Sequence, residues 1–184
     1  MLDRIKRLIK PAIFLAAIVY IICCLIKKPD SISDVLSYLG YSVSAITIIY
    51  VAYERLLWRF IPWNRPPVLK KKYHGLIDYK FKGAQDSKTI EVDVKQTWLT
   101  VQIKVKTDIN FSSSITADIV SENNQDVLYY SYITNPSAMS EGNNPTQHGT
   151  CRMILNEKNI KLDGKYWTSS KTTGDIHWVE DKKR

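Results

Sequence analysis

The chain has 184 residues, a net charge of +8 and three cysteines. That length holds one membrane hairpin and one soluble domain of about 115 residues, large enough to bury its own core. Cys23 and Cys24 fall in an apolar run and Cys151 stands alone beyond it, which excludes a disulfide framework in the soluble part; His74, His148 and His177 lack metal-ligand spacing with one another or with Cys151, so no zinc site is expected.

Met1 to Lys10 is a short basic leader carrying Arg4, Lys6, Arg7 and Lys10. Pro11 to Ile26 is apolar, Lys27 to Asp34 is polar, and Val35 to Tyr53 is apolar again, with no charged side chain inside either run. A helix rises about 1.5 Å per residue, so about 20 residues cross the hydrocarbon core. The second run meets that length. The first meets it when Leu8 and Ile9 join and Lys10 snorkels. The pattern predicts two transmembrane helices in a hairpin, with both chain ends on one side. A cleaved signal peptide would need a small-x-small site, which does not follow the run, and Ile22 before Cys23 argues against a lipoprotein site. A pair of core helices in a soluble domain fits poorly with two uncharged runs.

Arg55, Arg59, Arg65 and Lys70 to Lys72 follow the second run, whereas the connecting loop offers Lys27 and Lys28. The positive-inside bias therefore places both termini, and everything after Pro66, in the cytoplasm. Much of the positive charge flanks the spans, where it reads as topology and headgroup contact, not as a face for DNA or RNA polymers. Trp58, Phe60 and Trp63 among arginines fit an interfacial aromatic belt. Pro62, Pro66 and Pro67 cannot continue a helix. Residues 1–64 are thus expected as the hairpin with its basic flanks, and 65–184 as a cytoplasmic domain.

Beyond Pro67 the apolar period changes to two. Strands are expected at Tyr73–Phe81, Thr89–Val94, Thr97–Val105, Ser112–Val120, Val127–Thr134, Gly149–Leu155, Ile160–Ser169 and Asp175–Val179. Turns are expected at Lys82–Ser87, Ser121–Asn124, Asn156–Asn159 and Lys171–Gly174, with a polar loop at Asn135–Thr146. About eight short strands at close spacing imply antiparallel hairpins closing a small lipocalin-like barrel, which removes exposed edges and leaves room for one ligand at the mouth. A two-sheet sandwich is the alternative.

No nucleophile elbow, P-loop or dinucleotide-binding glycine motif is present, and no carboxylate pair stands out as acid and base, so nothing points to an enzyme. Aromatic, amide and hydroxyl side chains on the strands suit a ligand: rings stack on bases, and amides and hydroxyls read base edges or sugar oxygens. The candidates are Gln96, Trp98, Tyr132, Asn135, Tyr166 and Thr168, with Arg152 and Lys171 for phosphates. Tyr, Trp and Thr are also ordinary strand formers. Arg152 sits between Cys151 and Met153; if these point into the barrel, Arg152 lies on the surface.

Several segments together carry a resemblance: two N-terminal spans, Trp63-Asn-Arg-Pro-Pro67, Gln96-Thr-Trp-Leu-Thr-Val-Gln102, Asn135-Pro136, His148-Gly149, Leu162-x-Gly164-x-Tyr166-x-Thr168 and Thr173-Gly174-Asp-Ile176. In order and layout the whole chain resembles the membrane β-barrel effectors of CBASS, the cyclic-oligonucleotide-based anti-phage signalling systems of bacteria. Tyr73-His-Gly-Leu-Ile departs from the Gly-x-Trp pattern expected on the first strand. The resemblance implies no cofactor and no metal, but an activating cyclic dinucleotide made by a cognate CD-NTase. It also implies a barrel that binds this ligand, homo-oligomerisation, disruption of the inner-membrane bilayer and abortive infection. A membrane-tethered lipocalin-like carrier and a structural envelope protein stay open as alternatives.

Overall fold

The computed structural model describes residues 2–60, 66–81, 84–108, 110–136, 146–156 and 158–181. The Trp63-Asn-Arg part of the expected linker lies outside the described residues, as does most of the polar loop expected at Asn135–Thr146. The chain divides into two compact units, Met1–Arg65 with Thr97–Leu99, and Pro66–Gln96 with Thr100–Arg184.

The first unit holds helices α1 (Leu2–Ile26) and α2 (Ile32–Arg55) and a 3₁₀ turn at Leu57–Arg59. The polar break between the helices supplies a capping box. Ser31 Oγ accepts the Asp34 N–H at 3.2 Å, and the Asp34 carboxylate accepts the Ser31 N–H at 3.1 Å, satisfying donors that open a helix. Leu8–Ile26 and Ile32–Arg55 have mean hydropathies of 2.5 and 1.7 and are long and apolar enough to cross a membrane. The first stretch reaches the needed length by including Leu8, Ile9 and Lys10. α2 buries Tyr38, Ser42 and Ile46, spaced four apart, and the Tyr50 hydroxyl donates to Leu8 O at 2.9 Å. Ser37, Gly40, Ser44 and Thr47 are exposed. The turn Thr97–Leu99 belongs to this unit: the Trp98 N–H donates to Glu54 O at 3.1 Å, and its buried ring lies 5.7 Å from that of Tyr53.

The second unit is a closed, sequentially ordered antiparallel barrel. Its strands are β1 (Lys72–Phe81), β2 (Ala84–Gln96), β3 (Val101–Lys106), β4 (Asn110–Glu122), β5 (Gln125–Pro136), β6 (Gln147–Leu155), β7 (Lys161–Thr168) and β8 (Thr173–Glu180). The expected two-helix-plus-barrel architecture is therefore present. β3 alternates buried and exposed at every residue, as a half-buried strand must. Asn123 and Asn124 both have positive φ, 47° and 65°, the conformation that a two-residue hairpin needs and Asn tolerates. Most strand limits differ from expectation by one or two residues, and two strand starts differ by more. β2 begins at Ala84, because the β1–β2 ladder continues to Phe81 opposite Ala84 and polar residues read as a turn find cross-strand partners, Asp86 in Tyr79 and Ser87 in Asp78. β3 begins only at Val101, since Trp98 is buried elsewhere.

Ile90, Val92, Val94, Ile103, Leu128, Met153, Leu162 and Trp178 fill the lumen, as an eight-stranded barrel requires. Four glycines make room among the large side chains. Gly75 is opposite Trp178, Gly149 opposite Tyr132, Gly164 opposite Met153 and Gly174 opposite Tyr166. A Cβ at Gly75 or Gly164 would come within 1.9 or 2.1 Å of a backbone oxygen on the neighbouring strand. β4 carries a bulge at Ile115, between Ser114 and Thr116. It shifts the alternation, so that Ala117 and Ile119 face the core beyond it while Ser112 and Ser114, opposite Thr134 and Tyr132, face inward before it.

Candidate functional site

Strand direction and alternation bring one group of inward side chains to the end of the barrel where β1 meets β2 and β7 meets β8. These are Tyr79, Lys88, Ser112, Tyr132, Thr134, Tyr166 and Thr168, following the registers Tyr79–Asp86, Ile77–Lys88, Ser112–Thr134, Tyr132–Gly149, Gly149–Thr168 and Tyr166–Gly174. The floor beneath them is apolar and aromatic: Tyr130, Cys151 and Trp178, with the Tyr130 ring 5.7 Å from Tyr132 and 5.9 Å from Trp178.

The glycines fix where the rings lie. A Cβ at Gly149 would fall 2.3 Å from Cζ of Tyr132, and one at Gly174 would fall 2.8 Å from Cε1 of Tyr166, so each ring rests against a strand that has no side chain there. Ser112 and Thr134 hydroxyls are 2.8 Å apart. The Tyr79 hydroxyl donates to Asp86 Oδ2 at 2.8 Å, and the Lys88 ammonium sits 5.2 Å from the centre of the Tyr79 ring. Among the described residues, two buried lumen-side atoms have no hydrogen-bond partner, Asn110 Oδ1 near the mouth and Trp178 Nε1 deep in the core; such orphans are uncommon and ask for a ligand or water. A depression of about 380 Å³ at this end lies mainly on the outer face of the barrel: Asp78, Lys80, Lys165, Trp167 and Asp175 of its wall alternate outward, and only Tyr79, Tyr166 and Gly174 alternate inward.

Burial pushes the Tyr132 and Tyr166 phenols well above their ordinary range and the Cys151 thiol up to about 12. All three are neutral at physiological pH. The phenols can stack, donate and accept, and the thiol is no nucleophile. The hydrogen bond from Tyr79 holds the Asp86 carboxyl below its ordinary value. Among the described residues no group of three or more His, Cys, Asp and Glu is placed to hold a metal. Such an arrangement can stack on a planar molecule and hydrogen-bond to its polar edges.

The structure brings together some of the residues expected from sequence. Tyr132, Tyr166 and Thr168 share this lumen end. Asn135, opposite Phe111, and Lys171, in the β7–β8 turn with φ of 61°, lie at the same end. Gln96 is at the other end of β2, where Oε1 accepts the Leu69 N–H and Nε2 donates to Pro67 O, both at 2.8 Å. Trp98 belongs to the helical unit. Arg152 points outward between buried Cys151 and Met153: Nε donates to the Tyr129 hydroxyl and Nη2 to Glu122 Oε2, both at 2.8 Å. The Tyr129 hydroxyl and then Arg152 hold the Glu122 carboxyl below its ordinary range. Sequence reasoning missed Tyr79, Lys88, Asn110, Ser112 and Thr134. Running the alternation of Ile90, Val92 and Val94 two residues back would have reached Lys88; the shift at Ile115 hid the β4 residues.

Two comparisons bear on the family of the chain. The family model described as "Cap15, cyclic dinucleotide receptor domain" matches residues 65–180. A protein of Staphylococcus schleiferi named CD-NTase-associated protein 15 is 37% identical over 177 residues, covering 95% of this chain and 96% of its own.

Proposed function

The chain belongs to the Cap15 cyclic dinucleotide receptor family, and on that premise we propose that its barrel binds a cyclic dinucleotide made by a cognate CD-NTase and so triggers a CBASS antiviral effector. The observation that carries this reading is the tyrosine-lined, hydroxyl-rich lumen end inside the matched region, with an unsatisfied acceptor at Asn110. Tyr132 and Tyr166 stack on bases, Thr168 and the Ser112–Thr134 pair meet sugar or base edges, and Asn135 and Lys171 rim the mouth. Gln96 and Arg152 serve the barrel's own bonding. The protein acts as a receptor and does no chemistry on its ligand.

In this reading residues 1–64 form the two-span hairpin, and 65–184 the cytoplasmic sensor, with both termini inside. Ligand binding favours an assembled form, the hairpins associate and the inner membrane fails. A ligand shifts such an equilibrium only by its differential affinity for the two forms. The exposed small residues Ser37, Gly40, Ser44 and Thr47 on α2 permit close helix approach between copies. A polar lumen end argues against a carrier of apolar ligands.

The test is calorimetric titration of the full chain in detergent with cyclic dinucleotides of adenine, guanine and uracil, alone and mixed. At least one is expected to bind. Tyr132→Ala and Tyr166→Ala are each expected to weaken it by about tenfold or more, since stacking contributes roughly 1–3 kcal/mol per base. Absence of binding across the panel would overturn the receptor assignment.

A further inference from the structure

The chain has 26 lysines and arginines, yet among the described strand residues alternation turns a single basic side chain, Lys88, to the lumen face. Its register partner is Ile77, which packs on the core, and it stands two residues from buried Ile90. The other strand lysines, such as Lys80, Lys104 and Lys165, alternate outward. Lys88 forms no ion pair among the described residues. The carboxylate of Asp86, on the same face, accepts from the Tyr79 hydroxyl and the Ser87 N–H, each at 2.8 Å, and attracts the Lys88 charge without forming an ion pair with it. Lys88 rests instead on the face of the Tyr79 ring, 5.2 Å from its centre. A cation over a half-buried ring gains modestly, and a four-carbon stem with rotatable donors can leave that rest for a phosphate.

We propose that Lys88 is the phosphodiester-binding residue of the receptor site, leaving its rest on the Tyr79 ring to meet the ligand's phosphate on binding; this rests on the cyclic-dinucleotide reading above. A ligand that inserts bases among Tyr132 and Tyr166 carries its phosphodiesters into the same lumen end, and Lys88 is the strand cation facing it.

The experiment titrates full-length wild type, Lys88→Gln, Lys88→Arg and the outward control Lys104→Gln with whichever cyclic dinucleotide of the panel binds wild type, at several salt concentrations. Thermal melts confirm folding. Expected are at least tenfold weaker binding and a flatter salt dependence for Lys88→Gln, near-wild-type affinity for Lys88→Arg, and little change for Lys104→Gln. An analogue with both phosphodiesters replaced by neutral methylphosphonates is expected to bind wild type and Lys88→Gln alike. Equal affinity of wild type and Lys88→Gln for the charged ligand, or equal losses in Lys88→Gln and Lys104→Gln, would overturn the proposal and leave the receptor assignment standing. A panel in which nothing binds wild type removes both.

Discussion

At the scale of single residues, the lumen is a store of neutral phenols. Burial pushes the Tyr73 hydroxyl up to about 12 and Tyr130, Tyr132 and Tyr166 upward as well, against about 10 in an unfolded chain. A raised pKa favours the protonated form in the folded state. The associated stability is fully present below pH about 10, where both states hold the proton, and is lost as pH rises from there through the folded pKa. The urea midpoint of the barrel transition is therefore expected to stay flat to about pH 9.5 and fall above it. Phenolate absorbance should appear together with unfolding. Phenols that all ionise near pH 10 in a barrel still folded would contradict the burial described here. Arg152 shows how far one residue can be read in advance. Its outward direction follows from alternation once Cys151 and Met153 are inside, but its partners, Tyr129 and Glu122, come from strands 23 and 30 residues away in sequence, which no local pattern specifies.

At the scale of elements, two glycines on adjacent strands separate folding from recognition. At Gly164 a new Cβ meets backbone, Arg152 O at 2.1 Å, and backbone of a closed ladder cannot yield. Gly164→Ala is expected to destabilise the barrel by about 1–3 kcal/mol or more, the cost of overpacking, read as a lower denaturation midpoint. At Gly149 the new Cβ meets the Tyr132 ring, a side chain that can turn aside. Gly149→Ala is expected to cost less stability and more ligand affinity. The reverse ranking would mean that Tyr132 is not seated by Gly149. Legibility divides along the same line. The period-two runs, the Asn123-Asn124 turn and the succession of hairpins were readable because each is a local or near-local property of the chain, whereas closure, which pairs Tyr73 with Glu180, was expected from the strand number and not from a local signal. The start of β2 was not, because Gln85 to Ser87 look like a turn until Tyr79 and Asp78 stand opposite them. Nor was the departure of Trp98 from β3, which burial decided against strand alternation. The lumen group suffered most, since membership depends on which face each of eight strands turns inward.

At the scale of the whole molecule, the proposed function makes the helices the output and the barrel the input. Ile48 is 71% exposed on α2, so its side chain is not needed to hold the helical unit together. Ile48→Arg costs about 2.5–3.5 kcal/mol on insertion scales. It is expected to abolish ligand-dependent dye entry in cells co-expressing the synthase, measured with propidium iodide, while purified protein keeps its ligand affinity. Killing at wild-type levels by Ile48→Arg would disconnect the second span from the lesion.

The bulge at Ile115 reaches further than local geometry. Read without that offset, the same β4 residues would turn Phe111, Ser113 and Ile115 toward the lumen, and the mouth would be greasy. With it, Asn110, Ser112 and Ser114 face inward, tied by Ser112 to Thr134 and by the Ile103 N–H to Ser114 Oγ at 2.9 Å. A barrel that solvates a polar guest and one that holds a lipid thus differ by the register in which the first half of one strand is paired. Descendants of such a gene can change the class of molecule they hear without a substitution at any lumen position.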